Sequence, residues 1–236
     1  MFSLKNDFPE YYRFHGRKIT KKISPTNLNL LKKYYDKFSL DKEIIKYHQQ
    51  NRFNQKLFFS NKKFNKINVE IGFGDGEFLL NEAVVNPSEL YIGVEVYLNG
   101  ISKVLQAIIK LGLKNVLLCN LNCIYFLTSV KSKSIDKIYI INPDPWNKKR
   151  HNKRRLLSYE NIKLLNNLIK TKSCIYITTD SKIYFEDIKK QIYVNDVELY
   201  KECEMRTLST YDKLYGVSKY QRKAIEIKGK IYLISL

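Results

Sequence analysis

One carboxylate in this chain sits where residue types and spacing suit chemistry. Asp144 lies between Pro143 and Pro145 at the head of the run 142–155, NPDPWNKKRHNKRR. Each proline fixes its own φ and restricts the residue before it, so the carboxylate is expected on a stiff, extended turn. Trp146, the only tryptophan, comes next, and residues 148–155 then carry six Lys or Arg and one His. A rigid acid beside a cationic run points to chemistry on a polyanion, and an ordinary basic surface loop is the plain alternative. Arginine usage separates the two readings. Of 42 Lys and Arg only 8 are Arg, and three of those are Arg150, Arg154 and Arg155. General lysine enrichment does not cluster arginine, the side chain that forks bidentately onto phosphates and base edges.

A second constellation is Glu70-Ile71-Gly72-Phe73-Gly74-Asp75-Gly76, which follows one expected strand and opens one expected helix. Glycines there let the backbone turn tightly and approach a ligand where a Cβ would collide. Glu95, at the end of the next expected strand, stands where a carboxylate accepts hydrogen bonds from both ribose hydroxyls. Together these indicate an adenosine-type cofactor. The spacing is G-x-G-x-G, not the G-x-G-x-x-G of dinucleotide sites, and Glu70 would repel a pyrophosphate. A carboxylate at that point suits the cationic amino-acid portion of S-adenosyl-L-methionine, so a methyl donor is favoured over NAD. Asn122, after the third expected strand, reads either as an adenine contact or as a turn-forming Asn.

The elements that must position these groups form an α/β pattern. Strands are expected at 67–71, 90–96, 116–119, 137–141 and 174–178, and helices at 77–85, 100–111, 159–169 and 183–193. This alternation is the signature of a mostly parallel, Rossmann-like sheet with helices on both faces and its site at the carboxyl ends of the strands. Two final β-rich runs, 197–203 and 230–236, are expected to complete the sheet, with 205–223 as a long connection. The expected division is a basic N-terminal extension over 1–65 and one catalytic domain over 66–236. The extension carries 15 Lys or Arg against 5 Asp or Glu and a single Gly. A helix is expected over 27–35, started by Ser24-Pro25-Thr26. The patch 13–18 mixes aromatic and cationic side chains and reads equally as an RNA-contacting tail or a flexible one.

Composition bounds the class. With 236 residues, 44% of them hydrophobic, the chain is long enough for one well-buried domain. A formal net charge of +19 implies a polyanionic partner, although abundant Lys, Asn, Ile, Tyr and Phe together also fit a coding bias. Cys119, Cys123, Cys174 and Cys203 form no CxxC pair and read as buried, reduced thiols. The three His are isolated, so no metal is expected. The chain shows neither a membrane-length apolar run nor a leader pattern, and it is expected in the cytoplasm without a membrane partner.

The order EIGFGDG, then GVEV, then PDPW followed by KKRHNKRR resembles the bacterial tRNA (guanine-N7)-methyltransferases of the TrmB type, in outline over residues 10–236 and most specifically over 142–155. The resemblance implies a class I S-adenosylmethionine-dependent methyltransferase fold and methylation of N7 of the variable-loop guanine 46 in tRNA. It implies cofactor contacts at Glu70, Gly72, Gly74, Glu95, Asn122 and Asp144, with Asp144 also catalytic. Substrate contacts would fall at Lys148, Asp180, Ser218 and Gln221. RNA contacts would fall at Arg150, His151, Asn152, Lys153, Arg154 and Arg155, in a monomer or weak homodimer. Three positions depart from the family pattern. Gln221 replaces a glutamate in a Thr-x-x-Glu element read here as Ser218-Lys219-Tyr220-Gln221, Asn142 stands where an aromatic residue is frequent, and Asn122 lacks the usual acid. Rival readings are a non-catalytic RNA-binding protein with a degenerate pocket and a methyltransferase of the same fold with another substrate.

Overall fold

The computed structural model describes residues 23–49, 63–227 and 229–236. The basic patch 13–18 lies outside them, as does the rest of 1–22. The chain opens with helices α1 (Pro25–Phe38) and α2 (Asp41–Gln49). Ser24 caps α1, its hydroxyl accepting the Asn27 N–H at 3.2 Å, and Pro25 occupies a first-turn position where its missing N–H costs nothing. Both helices are part of the packed body. Leu31 and Tyr35 of α1 join one buried cluster, and Leu40 and Ile44, at α2, join another.

From residue 66 strands and helices alternate. β1 (Lys66–Ile71) leads to α3 (Glu77–Val85), β2 (Glu89–Val94) to α4 (Leu98–Leu111), and β3 (Val116–Cys119) to α5 (Cys123–Ser129). β4 (Ile135–Ile141) is followed by a 3-10 turn (Lys149–Arg154) and α6 (Tyr159–Leu168), and β5 (Ile169–Thr179) by α7 (Lys182–Asn195). These five strands are parallel, and a last antiparallel strand joins them to the far edge, giving a seven-stranded sheet. Ile67, Val69, Ile92 and Ile138 are buried because helices cover both faces of the parallel part.

After α7 the expected order changes. Residues 197–203, expected as a strand, form α8 (Val197–Glu202) instead. Asp196 explains it, since its carboxylate caps the helix by accepting the Leu199 N–H at 3.0 Å, and Glu198 suits the positive end of the helix. The strand is β6 (Glu204–Thr207), which overlaps the start of the expected connection 205–223. α9 (Lys219–Glu226) overlaps its end, and β7 (Tyr232–Ser235) follows. The sheet order is β3-β2-β1-β4-β5-β7-β6, with β7 antiparallel to both neighbours. β1 sits between β2 and β4, so the strand order reverses there and a crevice opens beyond its carboxyl end. Among the described residues no helix is long and apolar enough to cross a membrane.

Candidate active site

That crevice is an open cleft lined by the end of β1, the glycine turn, the end of β4 and the start of α9. Gly72 and Gly74 have φ of 75° and 56°, and a Cβ built on either would meet nothing within 4 Å. The space a side chain would fill is therefore open to a ligand. Gly100 on α4 is required by a different contact, because its Cβ would stand 2.1 Å from the Gly74 carbonyl oxygen. The helix thus packs directly under the turn.

Glu70 lines the cleft from β1 and is buried, with Oε2 lacking a partner among the described residues. Burial, aided by the nearby charge of Glu95, pushes its pKa from 4.5 up to about 8. An unpaired buried acid beside open space is a receptor for a cation, which fits the ammonium of S-adenosyl-L-methionine. Glu95 knits the site together. Its Oε2 accepts the Gly74 N–H at 2.9 Å, and its Oε1 accepts the Val96 and Tyr97 N–H groups at 2.7 and 2.9 Å. Of roughly four lone-pair positions on a carboxylate, about one is left for a ribose hydroxyl. Asn122 caps α5, its Oδ1 accepting the Ile124 N–H at 3.0 Å, so the turn-forming role is present in the structure.

Asp144 lies two residues beyond Asn142, the cleft residue at the end of β4. It is exposed, and its carboxylate has no hydrogen-bond or ion-pair partner among the described residues. Asn142 and Trp146 have φ of 50° and 44°, so two left-handed residues bracket the proline turn and turn the chain sharply on either side of the acid. Such backbone is costly for tryptophan and persists only where surroundings enforce it. The enforcing contacts come from the basic run. Arg154 lies over the Trp146 ring at 5.1 Å and His151 meets its edge at 5.7 Å. Trp146 is therefore the anchor of the loop.

The six residues of the run divide by role. Arg150, Asn152 and Lys153 are exposed, and His151 and Arg154 are half-buried. Arg155 is 8% exposed and turned inward. Its Nε donates to the Pro145 carbonyl at 2.8 Å, its Nη1 donates to Asp187 Oδ2 at 2.8 Å, and the guanidinium lies over the Tyr184 ring. Arg155, expected among the RNA contacts, here braces the Asp144 turn against α7. Burial and the charges of Arg154, Arg150 and Lys148 depress the His151 pKa, and its neutral ring accepts from Arg150 Nε at 3.3 Å.

The start of α9 covers the cleft. Ser218 and Lys219 line it, and Ser218 also caps the helix by accepting the Gln221 N–H at 3.2 Å. Lys219 pairs with Asp75, and Arg222 donates to both oxygens of Glu77 at 2.9 Å. These pairs were not recognised in the sequence, where only opposed charge on the two segments hints at them. Gln221 is wholly buried with both ends of its amide bonded inside the protein. Lys148 and Asp180 are exposed at the ends of the Asp144 turn and of β5. They, Glu95 and Asn122 do not line the cleft itself. Among the described residues no group of three or more His, Cys, Asp or Glu is placed to hold a metal ion.

A family model described as a putative methyltransferase matches residues 64–234. The chain is 37% identical over 221 residues to a bifunctional methyltransferase of Rickettsia prowazekii (strain Madrid E), covering 89% of this chain and 40% of that protein. It is 34% identical over 194 residues to a tRNA (guanine-N(7)-)-methyltransferase of Wolbachia pipientis wMel, covering 81% of this chain and 83% of that protein. The chain thus spans about 40% of the length of the bifunctional relatives. Among solved structures, the 16S rRNA methyltransferase KamB aligns with a TM-score of 0.54 and 13% identity over 73% of this chain and 87% of that one. That likeness concerns the fold, which is the class I S-adenosylmethionine-dependent methyltransferase fold. With the glycine turn, Glu70, Glu95 and the Asp144 turn all in place on it, the chain belongs to the TrmB-type tRNA (guanine-N7)-methyltransferase family.

Proposed function

We propose that this protein transfers a methyl group from S-adenosyl-L-methionine to N7 of the variable-loop guanine 46 of tRNA. The observation that carries the reading is the exposed carboxylate of Asp144, without a partner among the described residues, two residues from the cleft and braced beside the basic turn. Family membership supports the same chemistry. When bound, S-adenosyl-L-methionine supplies an electrophilic methyl group. Glu70 would hold its ammonium, Gly72 and Gly74 would admit its chain, and Glu95 and Asn122, just past the ends of β2 and β3, would reach its ribose and adenine.

Guanine N7 carries an exposed lone pair and no proton, so its attack needs no general base. The protein's contribution is positioning and stabilisation of the positive charge that develops on the ring. Asp144 would accept hydrogen bonds from N1–H and the N2 amine, which become more acidic as N7 is alkylated, so these bonds strengthen towards the transition state. A guanine held in folded tRNA must first be turned out, at about a few kcal/mol. Arg150, His151, Asn152, Lys153 and Arg154 would hold the phosphates meanwhile, with Lys148, Asp180 and Ser218 flanking the base. The direct test is incubation with unmodified tRNA and labelled donor in the cytoplasmic pH range, followed by digestion to nucleosides. Label in N7-methylguanosine is the expected result, and label in another base, or in none, overturns the reading.

A further inference from the structure

Asn142 belongs to a hydrogen-bond chain whose direction is fixed by the backbone. The Val217 N–H donates to Gln221 Oε1 at 3.1 Å. With its oxygen so committed, the amide presents its nitrogen at the other end, and Gln221 Nε2 donates to Thr178 Oγ1 at 3.0 Å. Gln221 and Thr178 are both 0% exposed, so bulk water offers no competing partner. The Thr178 hydroxyl, having accepted one bond, turns its own hydrogen to Asn142 Oδ1 at 3.2 Å. The Asn142 carboxamide is thereby oriented by its network, with the oxygen towards β5 and Nδ2 away from it. Nδ2 is buried and has no hydrogen-bond partner among the described residues. Asn142 also lines the cleft, together with Glu70 and Ser218.

We infer that Asn142 is a specificity residue that donates its free N–H to the O6 carbonyl of the target guanine. The inference deepens the proposed function and rests on it. O6 lies beside N7 on the same edge of guanine, whereas adenine presents a donor amine there. A buried donor rejects a base that brings a second donor, because both are left unpaired. The carboxylate of the methyl donor is the other acceptor oxygen able to enter the cleft. Glu70, which would hold the donor's ammonium, brings that carboxylate to the same wall, so the ligand affinity is measured beside the activity.

The chain also links two of the departures from the family pattern. A glutamate at 221 could not donate to Thr178, so the Thr178 hydroxyl would turn towards it. Asn142 would then rotate its nitrogen to Thr178 and present its oxygen to the cleft. Gln221 thus acts as a positioning residue that sets the polarity of Asn142.

The experiment compares wild type, Asn142→Leu, Gln221→Glu and the double variant by three readouts. These are thermal melts, the calorimetric Kd for S-adenosylhomocysteine, and kcat/KM for unmodified tRNA. The expected result is a Kd within twofold of wild type in all variants and kcat/KM lowered at least tenfold in both single variants. The double variant falls no further than Asn142→Leu, because nothing is left to invert. Unchanged kcat/KM in folded Asn142→Leu overturns the inference, as does a tenfold rise in Kd, which would assign Nδ2 to the carboxylate of the methyl donor. A wild-type protein that modifies no tRNA overturns the proposed function as well. Active wild type beside an equally active Asn142→Leu overturns this inference alone.

Discussion

Replacing Glu70 by Gln probes the electrostatics of the cleft. Glu70 is fully buried, Oε2 has no partner among the described residues, and burial with the Glu95 charge raises its pKa from 4.5 to about 8. Below the unfolded value both states hold the proton, and Glu70 is without pH-dependent cost. As pH rises past 4.5 the unfolded chain ionises while the folded one stays protonated, so stability is lost until the folded pKa near 8 is passed. At about 1.4 kcal/mol per pH unit, the gap between 4.5 and about 8 amounts to ~5 kcal/mol. The Gln amide keeps the shape and does not titrate. Ligand-free Glu70→Gln should therefore melt close to wild type below about pH 5 and roughly 10 °C higher at pH 8. Ligand binding should run the other way. S-adenosylhomocysteine, which carries an ammonium, should release a proton from wild type near pH 7 and none from the variant. It should also bind the variant about tenfold more weakly, as expected for a lost charge-assisted bond. Melts at several pH values and calorimetry in buffers of different ionisation enthalpy read both effects. A melting difference that is the same at pH 5 and pH 8 would refute the reasoning.

Arg155→Ala leaves Asp187 without its buried partner and should cost about 2–3 kcal/mol in urea unfolding, together with methylation activity through loss of the turn. Arg150→Ala and Lys153→Ala should leave stability unchanged. Each should flatten the log–log salt dependence of tRNA binding by about 0.7–0.9, and an unchanged slope removes that residue from the RNA face. Asn142→Leu should destabilise the ligand-free protein by about 1–2 kcal/mol, because the buried Thr178 hydroxyl loses its acceptor and a leucine replaces asparagine at a φ of 50°, which together outweigh deletion of an orphaned donor. A gain of stability in the same melts would show that neither the Thr178 bond nor the left-handed backbone matters.

The five parallel strands and the glycine turn were legible because apolar runs of strand length alternate with helical spacing, a pattern local enough to read. Residues 197–203 were not. Val197, Leu199 and Tyr200 suit a strand by type, and the deciding contact is the Asp196 cap, worth about 1 kcal/mol and just outside the run. The site divides in the same way. Glu70, Gly72, Gly74 and Asp144 announce themselves by residue type at a strand end. Arg155 does not, because nothing within 150–155 distinguishes it from Arg154; its partners Tyr184 and Asp187 lie on α7, about thirty residues on. Gln221 is a polar residue in a Lys-rich helix, and only packing against β5 shows that it is buried.

If the Asp144 turn recognises a guanine and promotes alkylation at its N7, borohydride–aniline scission of tRNA, which cuts at N7-methylguanosine, should separate wild type from Asp144→Asn after parallel incubation with unmodified tRNA. One wild-type cut in the variable loop is expected, and at least 100-fold slower cutting with Asp144→Asn, about 2.7 kcal/mol of transition-state stabilisation. Melting should be unchanged, because the carboxylate has no partner among the described residues. Absence of a wild-type cut, or equal cutting by the variant, would contradict that role of the Asp144 turn.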